Sequence, residues 1–220
     1  MRNYIKQAMV ALGATVTLAM IVSTASANNL SVTSRALRIV WASLEFSGGV
    51  TVRCRVTIEG SLHENALAKV SGGLIGYITA ATVGHPCTGG SVWAYNGTER
   101  NEVLGSAILP SSFPWHLTYE TFDGTLPSPA AVRILLALAR FLARASFFGI
   151  PILCALRTGG GNGNATTTAV VAATRVTSVR ASGRIRSETG GCPELSITNA
   201  FGDGIATQLG NSNSISITLI

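Results

Sequence analysis

Charged side chains are scarce in this chain of 220 residues, because Asp, Glu, Lys and Arg together make up only 12% of it. The net charge of +6 comes almost entirely from arginines, which are scattered along the chain. A nucleic-acid-binding protein concentrates its basic residues in one patch, so we expect no nucleic-acid partner. Hydrophobic residues make up 47% of the chain, which excludes a disordered protein. The abundance of Thr, Val, Ile and Gly is typical of an all-β domain.

A long hydrophobic run is also missing. The apolar stretch at residues 8–22 has about 15 residues, fewer than the roughly 20 that a membrane-spanning helix needs. It follows two basic residues and ends in Ala25-Ser26-Ala27, the small-x-small pattern of a signal peptidase site. We therefore predict a signal peptide at 1–27 and a secreted or cell-surface mature chain, 28–220, that forms a single β domain without a transmembrane segment.

The chain contains no C-x-x-C motif, which argues against a zinc site. Its four cysteines all lie in the mature chain, and an even number in an exported protein indicates two disulfides. Four cysteines allow three connectivities. Pairing of neighbours along the chain is the simplest topology for consecutive strands, so we predict Cys54–Cys87 and Cys154–Cys192.

Cys54 lies between two arginines, and positive charge next to a thiol can activate it as a nucleophile. Residues 50–59 alternate strictly between apolar and polar, which predicts a half-buried strand. Successive side chains of a strand point to opposite faces, so Arg53 and Arg55 should face water while Cys54 points into the core. Cys54 is therefore predicted to be structural.

Further short strands are predicted between Gly, Pro and Asn turns, which favours an antiparallel β-sandwich or an open barrel. A turn at 84–90 should carry the second cysteine, and a Gly-rich loop at 158–168 should join two β segments. The predicted strands are 36–46, 72–84, 91–95, 114–122, 150–157, 194–201 and 214–220.

Residues 130–148 are ambiguous between strand and helix. Their Leu and Ala content favours a helix, and Arg133, Arg140 and Arg144 would then share one face, as in an amphipathic helix on a membrane or a partner. The aromatic end of the segment and the predicted strand that follows it favour strands.

Two blocks, residues 50–90 and "PWHLTYETFDGTLP" at 114–127, resemble a group of small secreted actinobacterial proteins of unknown function. The resemblance extends over residues 30–157. It implies an exported β fold with alternating strands at 131–147, and this decides our prediction for that segment. The resemblance implies no activity and no site residues.

Signals for catalysis are weak. No G-x-S-x-G elbow is present, and Ser61, His63 and Glu64 are too close in sequence to orient one another as a triad. Glu120 and Asp123 resemble the carboxylate pair of a glycosidase. Three residues apart on a strand, however, they should lie on opposite faces as solvated side chains.

The three histidines, His63, His85 and His116, are far apart in sequence, so we expect neither a metal site nor another cofactor. Trp93, Tyr95 and Trp115 could form an exposed aromatic platform for a ligand, although core packing is the commoner role of such residues. The leading hypothesis is a non-enzymatic β-sandwich protein with a structural or interaction role. The alternative is a module that binds an extracellular glycan or a cell-envelope component through these aromatics, and a hydrolase built on the histidines is third.

Overall fold

The computed structural model describes residues 29–101, 104–105, 107–125, 128–159, 165–189, 192, 195–199 and 203–219. Most of these residues lie in antiparallel strands, and no α-helix occurs among them. No helix in this part of the chain is therefore long and apolar enough to span a membrane. The predicted signal peptide, 1–27, lies outside the described residues.

Seventeen strands occur in the described part of the chain. They are β1 (Asn29–Val32), β2 (Ala36–Ser47), β3 (Thr51–Leu62), β4 (Ala66–Ala68), β5 (Leu74–Thr88), β6 (Gly90–Ala94), β7 (Arg100–Asn101), β8 (Ala107–Ile108), β9 (Trp115–Thr125), β10 (Ser128–Ala137), β11 (Arg140–Phe147), β12 (Ile150–Arg157), β13 (Ala165–Ala172), β14 (Arg175–Ser187), β15 (Leu195–Asn199), β16 (Ile205–Gln208) and β17 (Ile217–Leu219).

Eight strands of the large sheet pair in a closed circuit. Their order is β13-β10-β9-β5-β3-β2-β15-β14, and β14 pairs again with β13. The end of β14 near Ser187 pairs with β12, and β11 and β6 follow in the order of pairing. Strand β16 pairs with β2. A small sheet of β17, β1 and β4 and the short pair β7–β8 complete the described strands.

Strands β6, β11 and β12 form a layer that packs face to face against the circuit of eight strands. The ring of Phe141 on β11 lies 5.6 Å from Phe46 on β2 and 5.3 Å from Trp115 on β9. All three rings are buried in one hydrophobic core. Two antiparallel layers around a shared core make a β-sandwich, which confirms the predicted fold class.

Strand β3 has the burial pattern that its sequence predicts. Its apolar residues are buried from Val52 to Ile58, whereas Arg53 and Arg55 are exposed. Cys54 faces the core and is bonded to Cys87, and Cys154 is bonded to Cys192. The described residues contain no free cysteine. Cys54 is thus a structural residue and not an arginine-activated thiol.

The ambiguous segment 130–148 forms strands β10 and β11. Within β10, Val132 and Leu136 are buried while Arg133 is exposed, and within β11 Arg144 is exposed between buried Ala143 and Ala145. Each strand pairs on both sides, so backbone pairing and alternating burial outweigh the helix propensity of Leu and Ala.

Two predicted loops are partly strands. Residues 84–88 belong to β5, which still pairs with β3 there, although its register is irregular around Cys87. The prediction of a turn at 84–90 was therefore wrong for residues 84–88. In the predicted loop 158–168, residues 160–164 lie outside the described residues, and β13 already begins at Ala165. Three consecutive threonines favour this strand, because β-branched side chains fit a pleated, half-buried surface.

Candidate ligand-binding groove

A β-bulge in β9 positions the first side chain of the candidate site. Tyr119 pairs with Ile134 and Thr121 pairs with Arg133, so Glu120 is an extra residue without a partner on β10. A bulge of this kind interrupts the strict alternation of side chains along a strand.

The bulge brings Glu120 and Asp123 to the same groove. Tyr119 is buried and Phe122 packs against the core, whereas Glu120 and Asp123 both line an open groove on the outer side of the sheet. The prediction that these two carboxylates lie on opposite faces was therefore wrong. The sequence does contain a signal for the bulge, because two polar residues in succession separate Tyr119 from Phe122.

The floor of the groove is a row of side chains that crosses three strands. Arg133 on β10 pairs in register with Thr168 on β13, which pairs with Arg180 on β14. In the adjoining register Thr166 pairs with Ser182. All five line the groove, which has a volume of about 790 Å³ and is thus within the usual size range of ligand sites.

An ion pair stands at each end of this row. Arg133 Nη2 lies 2.9 Å from Asp123 Oδ2, and Arg180 Nε lies 3.0 Å from Asp203 Oδ1. The arginine side chains are 46% and 63% exposed, so each pair adds at most about 1 kcal/mol to stability. Their main structural effect is to hold four charged groups at the rim of the groove.

Glu120 contributes an acceptor without a partner. Its Oε2 atom is buried, and among the described residues no group donates a hydrogen bond to it. A buried polar atom normally has a partner, because leaving it unpaired costs free energy. Carboxylates accept hydrogen bonds, guanidinium groups donate them and Thr and Ser hydroxyls do both. The groove therefore has the chemistry to bind a ligand rich in hydroxyl groups.

The aromatic residues proposed as a platform are not exposed together. Trp115 is fully buried and donates from Nε1 to Ser112 Oγ at 2.8 Å. Trp93 is 8% exposed and packs with Leu109 and Leu142 in a separate cluster. The platform was therefore a wrong prediction, because the segment that follows β6 folds back over Trp93.

Tyr95 is half-buried beside this second cluster, with the guanidinium of Arg140 4.8 Å from its ring centroid. Burial raises the pKa of the Tyr95 phenol, an effect that the Arg140 charge opposes and the Glu188 charge reinforces. These contacts place Tyr95 in a cation–π pair with Arg140.

Two histidines that are distant in sequence meet at one tyrosine. The ring of Tyr77 lies 4.9 Å from that of His63 and 5.4 Å from that of His116. His63 and His116 are 53 positions apart in the chain, and both reach Tyr77 because β5 pairs with β3 on one side and with β9 on the other. His85 lies elsewhere, 5.6 Å from the ring of Trp93. Over the described ranges, no group of three or more His, Cys, Asp or Glu side chains could hold a metal ion.

Comparison of the chain with family models, curated proteins and solved structures found no match. The assignment of a ligand-binding site therefore depends on the geometry and chemistry of the groove. Its most informative features are the bulged Glu120 and the two ion pairs at the rim.

Proposed function

We propose that this protein works outside the cytoplasm as a non-enzymatic interaction protein. Its groove would bind a hydroxyl-rich partner, such as a glycan of the cell envelope or the extracellular medium. The observation that carries the proposal is the position of Glu120, which lines a groove with an arginine at each side and whose Oε2 has no hydrogen-bond partner among the described residues. A sugar hydroxyl could donate to the Glu120 carboxylate while a guanidinium donates to the next hydroxyl.

An extracellular location is supported by the two disulfides. Such bonds form and persist in oxidising compartments and are rare in the cytosol of mesophiles. The charged start, apolar centre and small-residue end of residues 1–27 also favour export. We therefore propose that the mature chain is secreted or held at the cell surface.

Binding is favoured over hydrolysis by the way the groove holds its charges. A glycosidase needs one carboxyl group that can donate a proton and a second that is free to act as base or nucleophile. Asp123 and Asp203 are instead each paired with an arginine. None of the three histidines lines the groove, so the residues proposed for a hydrolase lie outside the candidate site.

A glycan array probed with the purified, oxidised protein tests this proposal. Thr168→Tyr places a large ring in the middle of the groove floor, and we expect it to abolish glycan binding. Thr82→Tyr makes the same change at an exposed strand position outside the groove and should leave binding intact. Equal binding by wild type and Thr168→Tyr would disprove the groove as the site, and an absence of wild-type binding would disprove the glycan partner.

Incubation of each bound glycan with the protein tests the non-enzymatic part of the proposal. We expect the chain length of the glycan, measured by mass spectrometry, to stay unchanged. If the wild type produced shortened glycans and the Glu120→Gln variant did not, the groove would be an active site.

A further inference from the structure

Two irregular strands flank Arg55 on the outer face of β3. On one side, β2 departs from regular pairing between Trp41 and Leu44, which places Ala42 and Ser43 opposite Arg55. Such bulges re-aim side chains and often lie next to binding sites.

The second irregularity lies in β5, on the other side of Arg55. Gly84 pairs with Arg55 but Thr88 pairs with Arg53, so His85, Pro86 and Cys87 together stand opposite the single residue Cys54. The disulfide between Cys87 and Cys54 ties this bulge to β3. The two bulges thereby leave a cleft of about 540 Å³ above Arg55.

The polar side chains that line the cleft can all donate hydrogen bonds. They are Ser43, Arg53, Arg55, His85 and Thr88, and no carboxylate is among the lining residues. This composition distinguishes the cleft from the groove at Glu120, which three carboxylates line.

The two arginines of the cleft differ in their partners. Arg53 Nε donates to Glu45 Oε2 at 2.9 Å, so part of its charge is balanced. Arg55 is exposed and makes no ion pair or side-chain hydrogen bond with the described residues. Its stem is close to Gly84, where an added Cβ would lie 3.3 Å from Arg55 Cβ. The strand therefore supports the stem while the guanidinium donors stay available.

We propose that this cleft binds an oxyanion, such as a sulfate, phosphate or carboxylate group, with the Arg55 guanidinium as its principal ligand. A guanidinium matches the geometry of two oxygens of one anion and forms charge-assisted hydrogen bonds with them. Ser43, His85 and Thr88 supply further donors at the edges of the cleft. The cleft is separate from the groove at Glu120, so either proposal can fail without the other.

Titration of the oxidised protein with sodium sulfate and with sodium phosphate tests the proposal, with sodium chloride added to keep ionic strength constant. In NMR spectra we expect saturable shifts of the Arg55 Nε–H signal and of the Ser43 and Gly84 amides. Arg55→Gln should weaken binding of at least one anion roughly tenfold or more, because it removes a charged hydrogen-bond donor.

Arg144→Gln is the matched control, since Arg144 is an exposed strand arginine outside the cleft. It should leave the affinity unchanged, and near-UV circular dichroism should show that both variants are folded. Shifts that do not saturate, or an equal loss in both variants, would overturn the proposal, because either result describes non-specific ion screening.

Discussion

The indole N–H of Trp41 donates a 2.9 Å hydrogen bond to the backbone carbonyl of Val179, which lies 138 positions away in the chain. Trp41 is on β2 and Val179 is on β14, and β15 lies between these strands over only part of their length. Beyond the end of β15, Gly204 bridges to Val179 and lies against the indole ring. Trp41 thus links β2 directly to β14 in the region that β15 does not reach, and this contact helps to close the circuit of eight strands.

Gly204→Ala should destabilise the protein by about 1–3 kcal/mol, because the new methyl group overpacks this junction. An ideal Cβ at Gly204 would lie 2.5 Å from Trp41 Nε1. Urea denaturation measures the loss in the free energy of unfolding. In a Trp41→Leu background the same substitution should cost less, and equal costs in both backgrounds would contradict the contact.

Glu99 joins β5 to β6 through one carboxylate. It accepts hydrogen bonds from the backbone N–H groups of Val83 at 3.0 Å and Ala94 at 2.6 Å. Burial raises the pKa of Glu99 above its ordinary value of 4.5, although these two hydrogen bonds lower it in part. An NMR titration should therefore place the midpoint of the Glu99 carboxyl above 4.5, and a midpoint below it would contradict this balance.

The raised pKa of Glu99 also predicts how stability depends on pH. At a pH between the pKa of Glu99 in the unfolded chain and its higher pKa in the folded protein, the folded state binds more protons than the unfolded state. The free energy of unfolding therefore falls as pH rises through this interval. The contribution of Glu99 is complete below its unfolded pKa and is lost as pH rises through the folded one. Compared with Glu99→Gln, the wild type should lose stability over this interval, whereas parallel pH profiles would show that Glu99 is not the cause.

The hairpin between β13 and β14 turns through Ala173 and Thr174, with φ angles of 45° and 71°. This left-handed conformation suits Gly and Asn and is unfavourable for a β-branched residue. Thr174→Gly should therefore raise the free energy of unfolding by about 1 kcal/mol. Gly149→Thr makes the reverse change in the β11–β12 turn, where φ is 81°, and should lower it. A loss of stability in Thr174→Gly would contradict this interpretation.

The two disulfides should contribute similar stability. Their cysteines are separated by 33 and 38 positions, and the chain-entropy model gives about 4 kcal/mol for loops of this length. The double variants Cys54→Ala/Cys87→Ala and Cys154→Ala/Cys192→Ala should therefore lose comparable free energies of unfolding in urea. A variant as stable as the wild type would show that its disulfide does not constrain the unfolded chain.

Local sequence patterns predicted much of this fold. The alternation at 50–59 predicted which face of β3 is buried, and with it the structural role of Cys54. The Gly, Pro and Asn turns predicted short strands between them, of which β2 and β9 are two. Each of these features follows from side-chain period and turn chemistry within a short stretch of chain. In contrast, β14 was missed, because its 13 residues contain many Arg and Ser and lack a clean alternation.

The sequence by itself determined where most of the strands lie and which face of β3 is exposed to solvent, because both depend on neighbours along the chain. Only the tertiary structure decided that Trp93 and Trp115 are covered, that Glu120 bulges into a groove beside Asp123, and that two irregular strands frame Arg55. Those features depend on which strands pair and in what register. Register is a property of two or more segments at once, so a pattern within one segment does not contain it.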